Sequence, residues 1–220
     1  MVRTITKPCD SSTISEISLQ VDEATPDLLV EDLIDWLRSY LNEGAVIVDG
    51  ETLQYGFTLL LCRVDDNTLR LAAPDFRSMP IHWSDDLSAV FHLLASHKMV
   101  PESIGLTADI PSLRQSVIVG ERFDQFPLFA NRTECSIDNP ADSGWFIGSQ
   151  SEEVDNNNPD QLRVVSLYEA ICCVPQLVHF LSLPAGCTVI CSGDAPVILK
   201  DWEEVTVPEN SFLGALLKVA

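Results

Sequence analysis

The chain has 220 residues, of which 33 are acidic and 13 are basic, so its formal net charge is −20. Because such a chain repels phosphate backbones and anionic lipid surfaces, we expect neither nucleic acid nor a membrane as its partner. No apolar run approaches the roughly 20 residues that span a bilayer, and the first residues (MVRTITKPCDSS) lack the apolar core of a secretory signal.

The first half predicts two helices and several strands. A helix is expected to begin with Thr25 as N-cap and Pro26 as first helical residue, and to end at Glu43-Gly44. Residues 52–64 and 69–73 are strand-like and are joined by a turn at 65–67. Ser84 is predicted to cap a second helix, and residues 112–120 alternate weakly, as a strand does.

The second half predicts short elements separated by turn residues. In chain order we expect a strand at 144–148, a loop at 151–160, a helix at 166–173, a helix from 175 to 184, and strands at 186–191 and 197–199 around a turn at 192–196. The tail after Trp202 has no clear pattern. Helices and strands mix without regular alternation, which predicts an α+β fold of mixed, mainly antiparallel sheets with flanking helices in two subdomains.

Side-chain chemistry offers little sign of catalysis. The seven cysteines lie mostly in apolar stretches, which predicts packed, reduced thiols, no zinc site and a cytoplasmic location. The four histidines include no pair at helical spacing, and the chain has no phosphate-binding glycine loop and no nucleophile elbow. We therefore expect no catalytic residue, no metal and no cofactor.

The acidic residues form two blocks without any Lys or Arg, one from Asp10 to Asp35 and one from Glu134 to Asp160. Their charge could serve solubility alone, or it could steer a basic partner toward the chain. In the second block the loop SEEVDNNNPD could also use Glu152 and Glu153 as acid and base, or bind calcium, although the EF-hand pattern and its glycine are absent. A solvated or partner-facing loop is the simpler interpretation.

A short DSGW segment precedes this loop. The turn residues Ser143 and Gly144 would place Trp145 at a strand edge, where tryptophan is a common binding anchor. The alternative is that Trp145 is a core anchor and the turn is structural. The predicted partner-binding residues are Asp142, Trp145, Glu152, Glu153, Asp155 and Asp160.

This segment and its surroundings resemble the immunity protein 33 domain family of bacteria. The resemblance covers about residues 127–190 and depends on DSGW, on Glu152 and Glu153, on Asn158-Pro159, and on the stretch PQLVHFLSLPAG with Pro175, Leu181, Pro184 and Gly186. The segment before DSGW (FPLFANRTECSIDNPA) departs from the pattern of a single-domain member. Residues 28–120 resemble, in their general sequence pattern only, the region that accompanies this domain in some immunity proteins.

The resemblance implies an immunity protein that binds a cognate secreted toxin and neutralises it by occluding its active site. The net charge of −20 points to a basic nuclease-type effector as that toxin. Its implied organisation is an acidic N-terminal segment at 1–25, an α+β immunity-associated domain at 26–125 and the DSGW-containing domain at 126–220. A cytoplasmic adaptor or chaperone for a secreted effector, and a metal-dependent hydrolase, are the alternative functions.

Overall fold

The computed structural model describes residues 1–9, 11, 13–135, 138–193 and 195–218. Asp10 of the first acidic block and Asp194 of the predicted 192–196 turn lie outside the described residues. The chain divides into two compact units, residues 1–94 and 95–220. The predicted boundaries at 25/26 and 125/126 stay predictions. Among the described residues, no helix combines the length and the apolar character that crossing a membrane requires.

The first unit is built on a six-stranded sheet. Its strands are β1 (Val2–Pro8), β2 (Glu16–Asp22), β3 (Thr52–Tyr55), β4 (Thr58–Asp65), β5 (Thr68–Pro74) and β6 (Trp83–Ser84). They lie in the order β1-β2-β5-β4-β3, with β6 paired to β5. Only the β2–β5 pair is parallel among the described pairings.

Helix α1 (Asp27–Asn42) covers the core of this sheet. Its apolar side chains recur at helical spacing, and the buried ones pack in one cluster with strand residues such as Ile17, Leu19 and Leu71. The helix was predicted with Thr25 as its N-cap, which is wrong by one residue. The N-cap is Pro26, which has no hydroxyl, and the Thr25 hydroxyl instead donates to the Asp22 carboxylate at 3.0 Å.

Two further predictions for this unit need correction. Residues 52–64 form two strands rather than one, because Gly56, with φ of +52°, turns the chain between β3 and β4. The turn at 65–67 is confirmed, with positive φ at Asp66 and Asn67. Ser84 does not cap a helix, because it lies in β6, and α2 (Ser88–Glu102) begins four residues later. The boundary between the two units falls inside α2, between Leu94 and Ala95.

The second unit is built on a seven-stranded sheet. Its strands are β7 (Ser116–Val119), β8 (Leu128–Arg132), β9 (Asp142–Ser149), β10 (Arg163–Ser166), β11 (Cys187–Cys191), β12 (Val197–Lys200) and β13 (Glu203–Glu204). Their order is β10-β7-β9-β8-β11-β12-β13, and only β7–β9 is parallel among the described pairings. The predicted α+β class with mainly antiparallel sheets is therefore confirmed.

Short helices complete the second unit. The predicted helix at 166–173 is confirmed as α3 (Leu167–Cys173), where the Ser166 hydroxyl accepts a hydrogen bond from the Glu169 N–H. The helix predicted from Pro175 is a 3₁₀ helix at Pro175–Phe180, and a second 3₁₀ turn lies at Pro159–Gln161. The unassigned tail contains α4 (Phe212–Leu216).

Candidate functional site

Four of the predicted partner-binding carboxylates lie together in the loop that follows β9. Glu152, Glu153, Asp155 and Asp160 are all exposed, while Val154 between them is 8% exposed. One buried apolar side chain therefore anchors the segment, and the acids around it face water. We call residues 151–160 the acidic loop.

Short-range hydrogen bonds shape the acidic loop. Side-chain oxygens accept from backbone N–H groups two residues later, as in turns typical of Ser, Asp and Asn. The pairs are Ser149 with Ser151 at 3.1 Å, Ser151 with Glu153 at 3.3 Å, Asp155 with Asn157 at 3.0 Å, and Asn158 with Asp160 at 3.1 Å. The Ser, Asp and Asn side chains thus set the backbone path of the acidic loop.

Asn156 fixes the acidic loop to the second sheet. Its side-chain N–H donates to the Ser149 carbonyl at 2.8 Å. Its Oδ1 lies 2.6 Å from the point where a Cβ on Gly148 would stand, and 3.0 Å from the equivalent point on Gly120. Because any side chain larger than hydrogen at Gly148 would meet this oxygen, the two glycines allow the loop to approach the sheet so closely.

One carboxylate of the acidic loop has a cationic neighbour. Arg122 donates to Glu153 at 2.7 Å, and this hydrogen bond raises the pKa of the Arg122 guanidinium. Glu152, Asp155 and Asp160 form no ion pair with any residue that the structure describes. Their three charges are available to an external cation.

The DSGW segment forms the first half of β9 and is packed inward. Asp142 accepts from the Gly144 N–H at 2.9 Å, and the buried Ser143 hydroxyl donates to the Ser116 carbonyl at 2.7 Å. Gly144 has φ of +74°, and a Cβ there would stand 2.3 Å from the Thr133 carbonyl oxygen. Both turn residues are thus held by backbone contacts of the sheet.

Trp145 is only 1% exposed. Its Nε1–H donates to the Leu181 carbonyl at 3.1 Å, and the Arg132 guanidinium lies 5.7 Å from the centre of its ring. Burial of the whole ring favours the alternative interpretation of the sequence, in which Trp145 anchors the core. The physical reason is the strand period of two, which turns Trp145 inward and the next residue, Phe146, outward.

The structure separates Asp142 from the other predicted acids. It begins β9, whereas the acidic loop follows the end of the same eight-residue strand. At about 3.3 Å per residue the strand ends are roughly 23 Å apart. The acidic loop and Asp142 are thus not one site in this unit.

The sequence interpretation missed an exposed tryptophan at the other edge of the sheet. Trp202 is 77% exposed and occupies the β12–β13 turn, where Asp201 and Trp202 have φ of 51° and 70°. It borders a cleft of about 430 Å³ that is also lined by Lys200 and Gly186. The charged neighbours of Trp202 in LKDWEE were the available signal in the sequence.

Several buried titratable side chains of the second unit have shifted pKa values. No group of three or more His, Cys, Asp or Glu is placed to hold a metal ion within the described ranges. Burial lowers the pKa of His97 to about 4 and raises that of Cys191 to about 11, so both groups are neutral at pH 7. The exposed carboxylates Glu152 and Glu153 are suited to attracting cations.

Comparison with known proteins gives one family. Residues 96–201 match the family model described as the Imm33-like domain. This range contains residues 127–190, on which the sequence resemblance depended, and it begins one residue after the start of the second compact unit. Searches of curated proteins and of solved structures found no match. The resemblance to the immunity protein 33 domain is therefore confirmed.

Proposed function

We propose that the chain binds and neutralises a cognate secreted toxin in the cytoplasm of the cell it protects, because residues 96–201 match the Imm33-like domain model. The observation that carries this proposal is the acidic loop with its four exposed carboxylates. The partner is a basic protein, and the class that best fits is a toxin that attacks nucleic acid.

The physical argument follows from the toxin's own substrate. A nuclease presents a cationic surface to the phosphate backbone. The same surface attracts a chain of net charge −20, and rigidly presented carboxylates compete with phosphates for its Lys and Arg side chains. Binding there occludes the toxin's active site. This mode of action requires no catalytic residue, metal or cofactor from the immunity protein.

Growth rescue combined with direct binding tests the proposal. The probe is the C-terminal domain encoded by the reading frame adjacent and upstream of the gene for this chain. Co-expression of the chain should restore growth to cells that express this domain, and the purified proteins should form a stoichiometric complex. An adaptor would change export of the effector without restoring growth. Absence of both rescue and binding would contradict the proposal.

A charge-reversal variant tests the part played by the acidic loop. In E152K/E153K/D155K the association rate at low salt should fall about tenfold or more, because electrostatic steering is lost. The matched control is E23K/D32K/E43K, which makes the same change in net charge at three exposed acids of the first unit. Equal loss in both variants would show that net charge acts and that the loop has no special part.

A further inference from the structure

The two faces of the second sheet differ in burial. On one face, which we call the inner face, seven side chains are 8% exposed or less: Val117, Ala130, Trp145, Ile147, Val165, Val189 and Ile198. We call the opposite side the outer face and define it by Ile118, Phe129, Phe146, Val164, Ile190, Val197 and Leu199. None of these seven outer-face residues is classed as buried.

Strand register places these apolar side chains side by side. Val164 pairs with Ile118, and Ile118 pairs with Phe146 across β10, β7 and β9. In the next row, Phe129, Ile190 and Val197 pair across β8, β11 and β12. The rings of Phe129 and Phe146 lie 5.8 Å apart and join the two rows. Residues paired across strands share a face, so these six apolar side chains are neighbours on the outer face.

Exposure is highest at the margins of the outer face. Val164 is 68% exposed, Ile118 38% and Val197 37%. The two polar side chains in its middle are hydrogen-bonded to each other, because the Asn131 amide donates to the Thr188 hydroxyl at 2.8 Å. A partner that covers this surface therefore buries apolar side chains without leaving these two polar groups unpaired. Large apolar surfaces of this kind on a folded chain mark interaction sites.

Acidic residues border the outer face. Asn156 of the acidic loop stands on it, since its Oδ1 approaches Gly148 beside the rings of Phe129 and Phe146. At the β13 edge, Glu204 pairs with Leu199 and is exposed. An apolar centre with a charged margin is the usual arrangement of a protein–protein interface. The charge of the margin specifies a cationic partner.

We infer that the outer face is the docking surface for the basic toxin, with the acidic loop at its margin. This inference rests on the proposed function and adds the location of the buried part of the interface. The occupant offers apolar side chains surrounded by Lys and Arg. A second copy of this chain fits poorly, because its own acidic margin would meet the first.

Paired glutamine substitutions test the inference without changing the charge. I118Q/V164Q removes two neighbouring apolar side chains from the outer face. The control V46Q/V48Q alters two valines of the first unit that are 63% and 58% exposed. With the adjacent-gene domain as probe, I118Q/V164Q should weaken the dissociation constant about tenfold or more, mainly through faster dissociation. The control should bind as the wild type does.

The outcomes separate the two proposals. If the wild-type chain does not bind the probe, the proposed function is overturned together with this inference. If the wild type binds and I118Q/V164Q binds equally tightly, only the outer-face inference is overturned. Should I118Q/V164Q fail to fold by circular dichroism, V197Q, at the far side of the face, replaces it with the same expectation of weaker binding. A wild-type dimer that I118Q/V164Q dissociates would assign the face to a second copy and overturn the inference.

Discussion

The inner and outer faces of the second sheet are formed by alternate residues of the same strands. Trp145 and Phe146 are neighbours in β9, yet Trp145 is 1% exposed and Phe146 lies on the open side beside Phe129. The inner face contacts Leu181 after the 3₁₀ helix Pro175–Phe180 through the Trp145 indole. Strand β9 thus supports the core with Trp145, the last residue of DSGW, and contributes the next residue, Phe146, to the proposed docking surface.

The largest change in the free energy of unfolding is expected for a substitution of Arg132 on the inner face. Its guanidinium is 2% exposed, contacts the carbonyls of Asp109, Leu181 and Leu183, and pairs with the Asp109 carboxylate at 3.0 Å. Arg132→Met removes the guanidinium donor from these carbonyls, of which only that of Leu181 keeps a second donor among the described residues, in Trp145, and should lower the free energy of unfolding by about 3–5 kcal/mol. Urea unfolding measures this change.

An exposed arginine is the matched control for Arg132. Arg122 pairs with Glu153 of the acidic loop and is 42% exposed. Arg122→Met should change the free energy of unfolding by less than about 1 kcal/mol, because water solvates the exposed Glu153 carboxylate once the pair is lost. A similar loss of unfolding free energy in both variants would contradict the expected difference between a buried inner-face network and a solvated loop.

The next largest effect is a pH dependence that arises from His97. This side chain is fully buried, its Nε2 lies 2.6 Å from the Val178 carbonyl, and burial lowers its pKa from 6.5 to about 4. Below pH 6.5 His97 is protonated in the unfolded chain but stays neutral in the folded chain. The stability contributed by neutral His97 is therefore lost as the pH falls toward 4. The total loss is about 3 kcal/mol at an upper estimate.

Comparison with His97→Gln isolates this contribution from the carboxylates. The glutamine amide can donate to the Val178 carbonyl but does not titrate. The wild type should therefore lose more stability between pH 7 and pH 4 than the variant does, by urea unfolding at each pH. Parallel pH profiles would contradict the assignment. Burial also lowers the pKa of His179, which contributes with the same sign in both proteins.

A smaller effect is expected at Trp145. Trp145→Phe keeps an aromatic ring on the inner face but removes the hydrogen bond to the Leu181 carbonyl and part of the packed volume. The free energy of unfolding should fall by about 1–3 kcal/mol. Binding to the toxin should stay unchanged when measured far below the unfolding transition. A selective loss of affinity with unchanged stability would restore Trp145 as a direct contact.

The smallest effect is expected at the exposed tryptophan. Trp202 has φ of 70°, a conformation in which asparagine is better tolerated than a bulky side chain. Trp202→Asn should leave the free energy of unfolding unchanged or raise it by up to about 1 kcal/mol. Thermal unfolding checks this, and a clear loss of stability would show that the ring packs more than its 77% exposure indicates.

Local turn chemistry was readable from the sequence, whereas face assignments were not. The turn at Asp65–Asn67 follows from residues that favour positive φ, whereas the helix caps predicted at Thr25 and Ser84 were wrong. In β9, however, Trp145, Phe146 and Ile147 are consecutive apolar residues, so no alternation shows which of them faces the core. The strand order also depends on contacts between distant segments, such as β2 with β5.

The candidate site was predictable in part for the same reason. The acidic loop is recognisable in the sequence because acids, asparagines and proline favour exposed turns over a buried core. Its four predicted carboxylates are exposed in the structure. The outer face was not predicted, because its residues come from six strands and only the register brings them together. Ile118 and Val164 show no sequence signal that distinguishes them from core residues.

Methyl NMR of the complex tests the outer-face account most directly. On titration with the adjacent-gene toxin domain, the methyl signals of Ile118, Val164, Val197 and Leu199 should shift or broaden. Those of the inner-face residues Val189 and Ile198, and of Val46 and Val48 in the first unit, should change little. Binding that perturbs only inner-face or first-unit methyl groups, and leaves the four outer-face residues unchanged, would contradict the account.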